Sequence, residues 1–299
     1  MRPPLTFVLA AAVSTSVIAR QQPTFRAGVD AVRVDVSVTD HGKAVRGLTA
    51  QDFVVADNGT PEPVTSVTLE QLPLRVVLLL DTSGSVEGSA MQTLVDASRG
   101  LIWALRPTDR IAVVTFSGEV TLLGGFDAAR PAVLEALGHV HPGGTTALYD
   151  ALQIAFELVR MDDAKVAARP LIVVCTDGVD IGSWLSGDDV VEGARRADVV
   201  VHIIQPAGAP TSGPVKHVNT VADVSGGRRW SATSERDLKG LFTQTLTEMR
   251  DRYLLTFTPD SPVRGWHDLK VSLKRARGAV LARPGYYVSK NADGSTRKE

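Results

Sequence analysis

VVLLLDTSGS, residues 76 to 85, joins a buried-type strand to a cluster of oxygen donors. Five apolar residues in succession suit a strand covered on both faces. The polar residues that follow put Asp81, Ser83 and Ser85 at alternate positions. Alternate positions of an extended chain point to one side, so one carboxylate and two hydroxyls converge where the strand leaves its sheet. Such donors suit a single hard cation.

Outward from this stretch, short β-rich runs alternate with segments of helical periodicity. Strands are expected at residues 76–81, 110–117, 120–124, 171–177, 199–205 and 228–231, and helices at 90–105, 128–137, 147–160, 190–196 and 235–251. That alternation predicts an α/β fold with a Rossmann-like, doubly wound, mainly parallel sheet over residues 74–252. Leu148, Ala151, Leu152, Ala155 and Leu158 recur at helical spacing and form a packing face. The flanks read differently. VRVDVSVTD, DFVVADNG and PVTSVTLEQ before the α/β region, and RYLLTFTP, HDLKVSLKR and AVLARPGYYV after it, are alternating segments parted by turn residues. Neither flank supplies enough strands for a sheet with its own core. The expectation is one small antiparallel β domain, built jointly by residues 20–73 and 253–288, with residues 289–299 as a mobile tail.

Composition narrows the function. With 44% hydrophobic and 22% charged residues in 299, the chain is of ordinary globular type. Its 32 basic and 33 acidic residues give a net charge of -1, which offers no basic face for nucleic acid. Residues 1–19, MRPPLTFVLAAAVSTSVIA, read as a secretory leader: one positive charge, a moderately apolar stretch, then small residues before a cleavage point. The stretch is short for a membrane-spanning helix, so an exported protein, periplasmic or extracellular and without an integral membrane segment after cleavage, is expected. The single cysteine, Cys175, lies inside the apolar run LIVVC and reads as a buried hydrophobe.

Two further stretches join the first. HPGGTTALYDAL, residues 141–152, has glycines for an irregular loop and Thr145 or Thr146 to cap the helix that follows; LIVVCTDG, residues 171–178, is a buried-type strand ending at Asp177. In an open α/β sheet such loops gather at one edge, where ligands bind.

These three stretches together resemble the von Willebrand factor type A family, whose metal-ion-dependent adhesion site combines a DxSxS loop, a threonine in a glycine-rich loop and an aspartate after a later strand. The matching positions are Asp81, Ser83 and Ser85, then Thr146, then Asp177; the family pattern GGTALYDA aligns onto Thr146, leaving Thr145 as an insertion or variant. The resemblance covers residues 74–252. The flanks resemble those of a bacterial subgroup, often found in Acidobacteria, that pairs a VxVxVTDxxGxxVxGLxxxDFxV segment ahead of the A domain with a YxLxFxP and RPGYY ending. The resemblance implies direct ligation by Ser83 and Ser85, with Asp81 and Asp177 acting largely through water and Thr146 directly or through water. It implies an open coordination position that a partner's Asp or Glu completes. Asp180 is a candidate for orienting water around the ion, or a plain loop carboxylate, and Trp184 a candidate for the binding rim. Oxygen donors favour Mg²⁺, with Mn²⁺ as the alternative and Ca²⁺ less suited.

Other signals are weaker. His139 and His141 alternate in HVHPGG but have no third ligand at a recognisable spacing. Neither Ser83 nor Ser85 has the flanking glycines of a GxSxG elbow, and Ser225 in DVSGG lacks the first. No phosphate-binding glycine loop follows a strand. The expected function is an exported, metal-dependent protein-binding module that is not an enzyme. The alternatives are a subunit of a cell-envelope enzyme complex, or a structural A domain with a degenerate metal site.

Overall fold

The computed structural model describes residues 31–69, 72–86, 88–162, 167–209, 215–260, 263–275 and 277–289. The expected leader, and the expected tail beyond Ser289, lie outside the described residues. Five strands come first: β1 (Val32–Asp40), β2 (Lys43–Ala44), β3 (Phe53–Asp57), β4 (Thr60–Glu62) and β5 (Val64–Thr68). The α/β region follows as β6 (Leu74–Asp81), α1 (Ser89–Ala104), β7 (Arg110–Phe116), β8 (Val120–Gly124), α2 (Arg130–Leu137), α3 (Leu148–Met161), β9 (Arg169–Cys175), α4 (Gly187–Arg196), β10 (Val200–Gln205), α5 (Lys216–Ser225), β11 (Arg229–Ser231) and α6 (Glu235–Arg250). The described residues end with β12 (Tyr253–Phe257), β13 (Gly265–Leu273), β14 (Ala279–Leu281) and β15 (Gly285–Val288).

The six strands from β6 to β11 form one sheet in the order β11-β10-β9-β6-β7-β8. All neighbours are parallel except β7 and β8. The two-residue period of a strand divides the VVLLL run between two cores. Val76, Leu78 and Leu80 face α1, α2 and α6, whereas Val77 and Leu79 face α3, α4 and α5. Strand β9 divides in the same way, with Leu171, Val173 and Cys175 on the first side and Ile172 and Val174 on the second. This burial on both faces is why the sequence of β6 is continuously apolar rather than alternating. Among the described residues, no helix is long and apolar enough to cross a membrane.

Helix α5 is absent from the sequence-based expectation. Its buried residues Val218, Val221, Ala222 and Ser225 do follow helical spacing, and Gly226 ends it in the left-handed region at φ 71°. The polar and β-branched KHVNT opening, weak in helix propensity, masks the pattern; packing against the sheet overrides it.

The flanks make two antiparallel sheets, each mixing strands from both ends of the chain. Strand β1 pairs with β12, from Val32 opposite Phe257 to Val36 opposite Tyr253, and β3 pairs with β13, from Phe53 opposite Leu273 to Asp57 opposite Leu269. Val34, Val36, Phe53, Val55, Tyr253, Leu255, Phe257 and Leu269 fill the core between them. The expected joint β domain is therefore present, as a sandwich of two sheets.

Buried arginines tie this sandwich to the α/β unit. Arg252 is fully buried; it donates to Gly226 O at 2.7 Å and to both carboxylate oxygens of Glu248 at 2.9 and 3.0 Å. Arg228 bridges Glu248 at 2.9 Å and Ser37 of β1 at 3.0 Å. Arg169 of β9 donates to Asp35 at 2.7 Å, and Arg283 reaches Asp198 at 2.9 Å. His202, buried beneath Trp230, accepts the Arg228 N–H on Nδ1 at 3.0 Å and sets Nε2 2.9 Å from Glu248.

Burial holds the His202 imidazole below its ordinary value of 6.5, against the opposing pull of Glu248. Burial alone would raise the Glu248 carboxyl, but Arg252 and His202 outweigh it and hold it well below 4.5. In both cases the unfolded chain takes up protons that the folded protein refuses, so stability falls with acid, first below about 6.5 through His202 and further below about 4.5 through Glu248. Thermal melts between pH 7.5 and 5 should show the melting temperature dropping. The slope should be shallower in His202→Gln; an unchanged slope would remove His202 from the account.

Candidate metal centre

Strand order reverses between β6 and β9: the chain steps outward from β6 to β7 and β8, then crosses back to β9 and continues the other way to β10 and β11. A crevice opens beyond the carboxyl ends of the two strands that flank such a reversal. Asp81 is the last residue of β6, and Thr176 and Asp177 follow the last residue of β9. The expected strand through Asp177 thus stops two residues early, and Asp177 stands in the loop.

The Asp81 carboxylate is only 2% exposed. Its Oδ1 accepts the Ser83 N–H at 3.0 Å and the Ser83 hydroxyl at 2.6 Å, and its Oδ2 accepts the Thr176 hydroxyl at 2.7 Å. Ser83 Oγ lies 3.1 Å from Ser85 Oγ, with Ser83 buried and Ser85 exposed. Asp177 is partly buried, and its Oδ1 accepts the Val179 N–H at 2.9 Å.

Backbone hydrogen bonds stitch the glycine-rich loop to this cluster. Gly143 N–H donates to Thr82 O at 2.9 Å and Gly84 N–H to Gly144 O at 3.3 Å. Gly144, at φ 80°, occupies a conformation that side chains rarely adopt. Thr146 is buried, and its carbonyl accepts the N–H groups of Ile181 and Gly182 at 3.1 and 2.9 Å. Thr145 is exposed, its hydroxyl packed against Gly118 and Gly182.

The threonine cap expected for α3 is replaced. Asp180 Oδ1 and Ser183 Oγ accept the Tyr149 N–H at 3.2 and 3.0 Å, and Ser183 Oγ also accepts from Asp150 at 3.1 Å. Asp150 returns the favour to the loop, accepting the N–H groups of Trp184 and Leu185 at 3.0 and 3.1 Å. Asp180 therefore anchors the start of α3. Trp184 projects an indole that is 98% exposed, and Ile181 nearby is 69% exposed.

Sequence reasoning missed Thr176 and Asp150. The signal for Thr176 is its place between a buried strand and Asp177 in CTDG; that for Asp150 is an acidic residue in a first helical turn, where free N–H groups gather. His139 and His141 are both exposed and line an open groove with Glu119 on the far side of Thr82. Among the described residues, no three His, Cys, Asp or Glu side chains are placed to hold a metal by themselves.

Burial raises the Asp81 carboxyl, hydrogen bonds from Ser83 and Thr176 oppose that, and the nearby Asp177 charge adds to the rise. Among the described residues, no Lys, Arg or His forms an ion pair with Asp81 or Asp177. A buried carboxylate without a basic partner is costly, and a bound cation would offset that cost. Two oxygens in adjacent positions of an octahedron with bonds of about 2.1 Å stand about 3.0 Å apart, close to the Ser83–Ser85 separation. Carboxylates and hydroxyls without sulfur or imidazole fit a hard ion.

Comparison with known proteins agrees with this fold. Residues 76–179 match the family model of the von Willebrand factor type A domain. Inter-alpha-trypsin inhibitor heavy chain H4 of Sus scrofa is 28% identical over 165 residues, 53% of this chain and 17% of that protein. The chain spans about a fifth of the length of the curated relatives it matches. A von Willebrand factor type A structure from Catenulispora acidiphila superposes with a TM-score of 0.51 at 16% identity, covering 91% of this chain and 76% of that one. Proximal thread matrix protein 1 from the mussel byssus, solved with zinc in its MIDAS motif, gives 0.50 at 17% identity, covering 63% and 48%. At such identities the structural likeness is one of fold, and with the family match it leads to one conclusion: the α/β unit of this chain is a von Willebrand factor type A domain.

Proposed function

We propose that the chain is a metal-dependent protein-binding module in which Asp81, Ser83, Ser85, Thr146 and Asp177 hold Mg²⁺, or Mn²⁺ in its place. The observation that carries this reading is the buried Asp81 carboxylate, without a basic partner among the described residues, beside two serine hydroxyls 3.1 Å apart at the point where the strand order reverses. Both Asp81 oxygens already accept hydrogen bonds, which supports a role through water, while the serine hydroxyls supply direct ligands. Bound there, the ion supplies an electrophilic position for a carboxylate. The mussel protein holds zinc; the oxygen-only donor set here supports the harder ion.

The partner presents an Asp or Glu to that position, and the exposed Trp184 and Ile181 give it an apolar surface beside the ion. The absence of catalysis belongs to the same reading. Ser83 donates to Asp81 and has no imidazole partner among the described residues, and Ser225 is buried, donating to Ala222 O and accepting from Val201 N–H. The leader-like residues 1–19 support export.

Acetate serves as the simplest partner carboxylate. With Mg²⁺ saturating, acetate should shift the amide resonances of Ser83, Ser85 and Thr146, and with chelator present it should not. Equal shifts in both conditions, or none when Mg²⁺ is demonstrably bound, would sink the reading.

A further inference from the structure

Beside the Asp81 cluster a cavity of about 230 Å³ runs inward between α1, α6 and the loop after β10. Asp81, Ser85 and Asp177 are among its lining residues. Much of the remaining lining is apolar: Val86, Ala90 and Leu94 from the α1 side, Cys175 at the end of β9, and Leu238 from α6. Cys175 contributes packing and not chemistry, since burial pushes its thiol far up and the Asp81 charge adds to that.

A dry cavity of about 150 Å³ lined by aliphatic side chains accepts benzene, so the volume here holds a phenyl ring or a branched aliphatic side chain with room to spare. Ligand sites typically combine an apolar enclosure with a few convergent polar groups. Here the charged groups of the lining are the metal donors Asp81 and Asp177, and its other polar side chains are the hydroxyls of Ser85, Thr93 and Ser234. An occupant that meets the donors therefore carries a polar group toward them and an apolar body against the rest of the lining. With an ion held among them, the acidic donors would select an anion, and the apolar lining a compact hydrocarbon group beside it.

We infer that the partner's metal-binding acidic residue is flanked by a large apolar side chain, and that this side chain enters the cavity between α1 and α6. The inference rests on the metal-dependent reading above and narrows it from any exposed Asp or Glu to a mixed acidic and apolar segment. The fit has two anchors, one electrostatic and one hydrophobic, which is how a small contact gains specificity.

The test uses the full chain and three probes: 3-phenylpropionate, acetate and 3-phenylpropanamide, with Mg²⁺ binding measured separately by calorimetry. Burying a phenyl group should make 3-phenylpropionate bind about ten- to a hundredfold more tightly than acetate when Mg²⁺ is present. The amide, which lacks the carboxylate, should not gain from Mg²⁺. Ala90→Leu, which fills the cavity from α1, should erase the advantage over acetate and leave Mg²⁺ and acetate binding unchanged. Ala209→Leu fills it from the loop after β10 and serves if the first variant does not fold. Equal affinity for phenylpropionate and acetate with Mg²⁺ bound would overturn the inference while sparing the metal reading. Phenylpropionate binding that ignores Mg²⁺ would separate the cavity from the ion and overturn it too. An absence of Mg²⁺ binding in the calorimeter would take down both, and the isotherm alone tells that case from the others.

Discussion

Asp81→Ala should abolish Mg²⁺ binding while leaving the α/β unit folded. Removing the carboxylate frees the Ser83 and Thr176 hydroxyls from their partner. It also removes a desolvated charge that no basic side chain offsets among the described residues. The two effects oppose each other, so the metal-free stability should move by no more than about 1–2 kcal/mol. The large effect appears when the ion is added. A ligand at a hundred times its dissociation constant stabilises the folded state by about 2.7 kcal/mol, which corresponds to a melting shift of roughly 5–10 °C for a unit of this size. Chelator-stripped native protein should gain that shift on addition of MgCl₂, and Asp81→Ala should gain none. A variant that still titrates with Mg²⁺ would show that the site is not built on this residue.

Arg252→Ala should cost about 3–5 kcal/mol, the typical penalty for stripping one partner from a buried ion pair. The guanidinium has no solvent exposure, binds the carbonyl that ends α5 and lies against Glu248 on α6. Without it, Glu248 keeps its charge facing a neutral His202 and the Gly226 carbonyl loses its donor. Urea unfolding is the measurement. A loss under about 1 kcal/mol would show that Arg228 alone sustains Glu248 and that the junction between sandwich and α/β unit does not depend on Arg252.

Legibility in the sequence followed the range of the interactions. The β6 run, the DxSxS loop and the helical face of α3 are local patterns, and all three stand where the sequence puts them. The α/β fold with a joint flank domain was readable because the alternating segments at the two ends lacked strands to pair with nearby. The misses are of two kinds. Helix α5 was obscured by weak local propensity, and its identity depends on burial against the sheet. Thr176, Asp150 and the buried arginines act on partners brought close only by the fold: Thr176 is 95 residues from Asp81, and Arg169 is 134 from Asp35. No periodicity marks such pairs. Asp180 illustrates the consequence: its position in the site loop left water orientation and a plain loop carboxylate both open, and only the fold shows its hydrogen bonds fastening α3.

The pairing of β5 with β12 bears on how the chain folds. These strands stand immediately before and after the α/β unit, yet Leu254 lies directly across from Thr68. For a disordered connection of this length, bringing the ends together carries a loop-closure entropy that grows with the logarithm of its length. The folded A domain removes that cost, because it delivers its own entry and exit points to neighbouring strands about 5 Å apart. The sandwich thus inherits its closure from the unit inserted into it: β1, β5 and β12 cannot form a sheet cheaply until the insert has folded, and unfolding of the insert returns the whole entropic burden to the flanks.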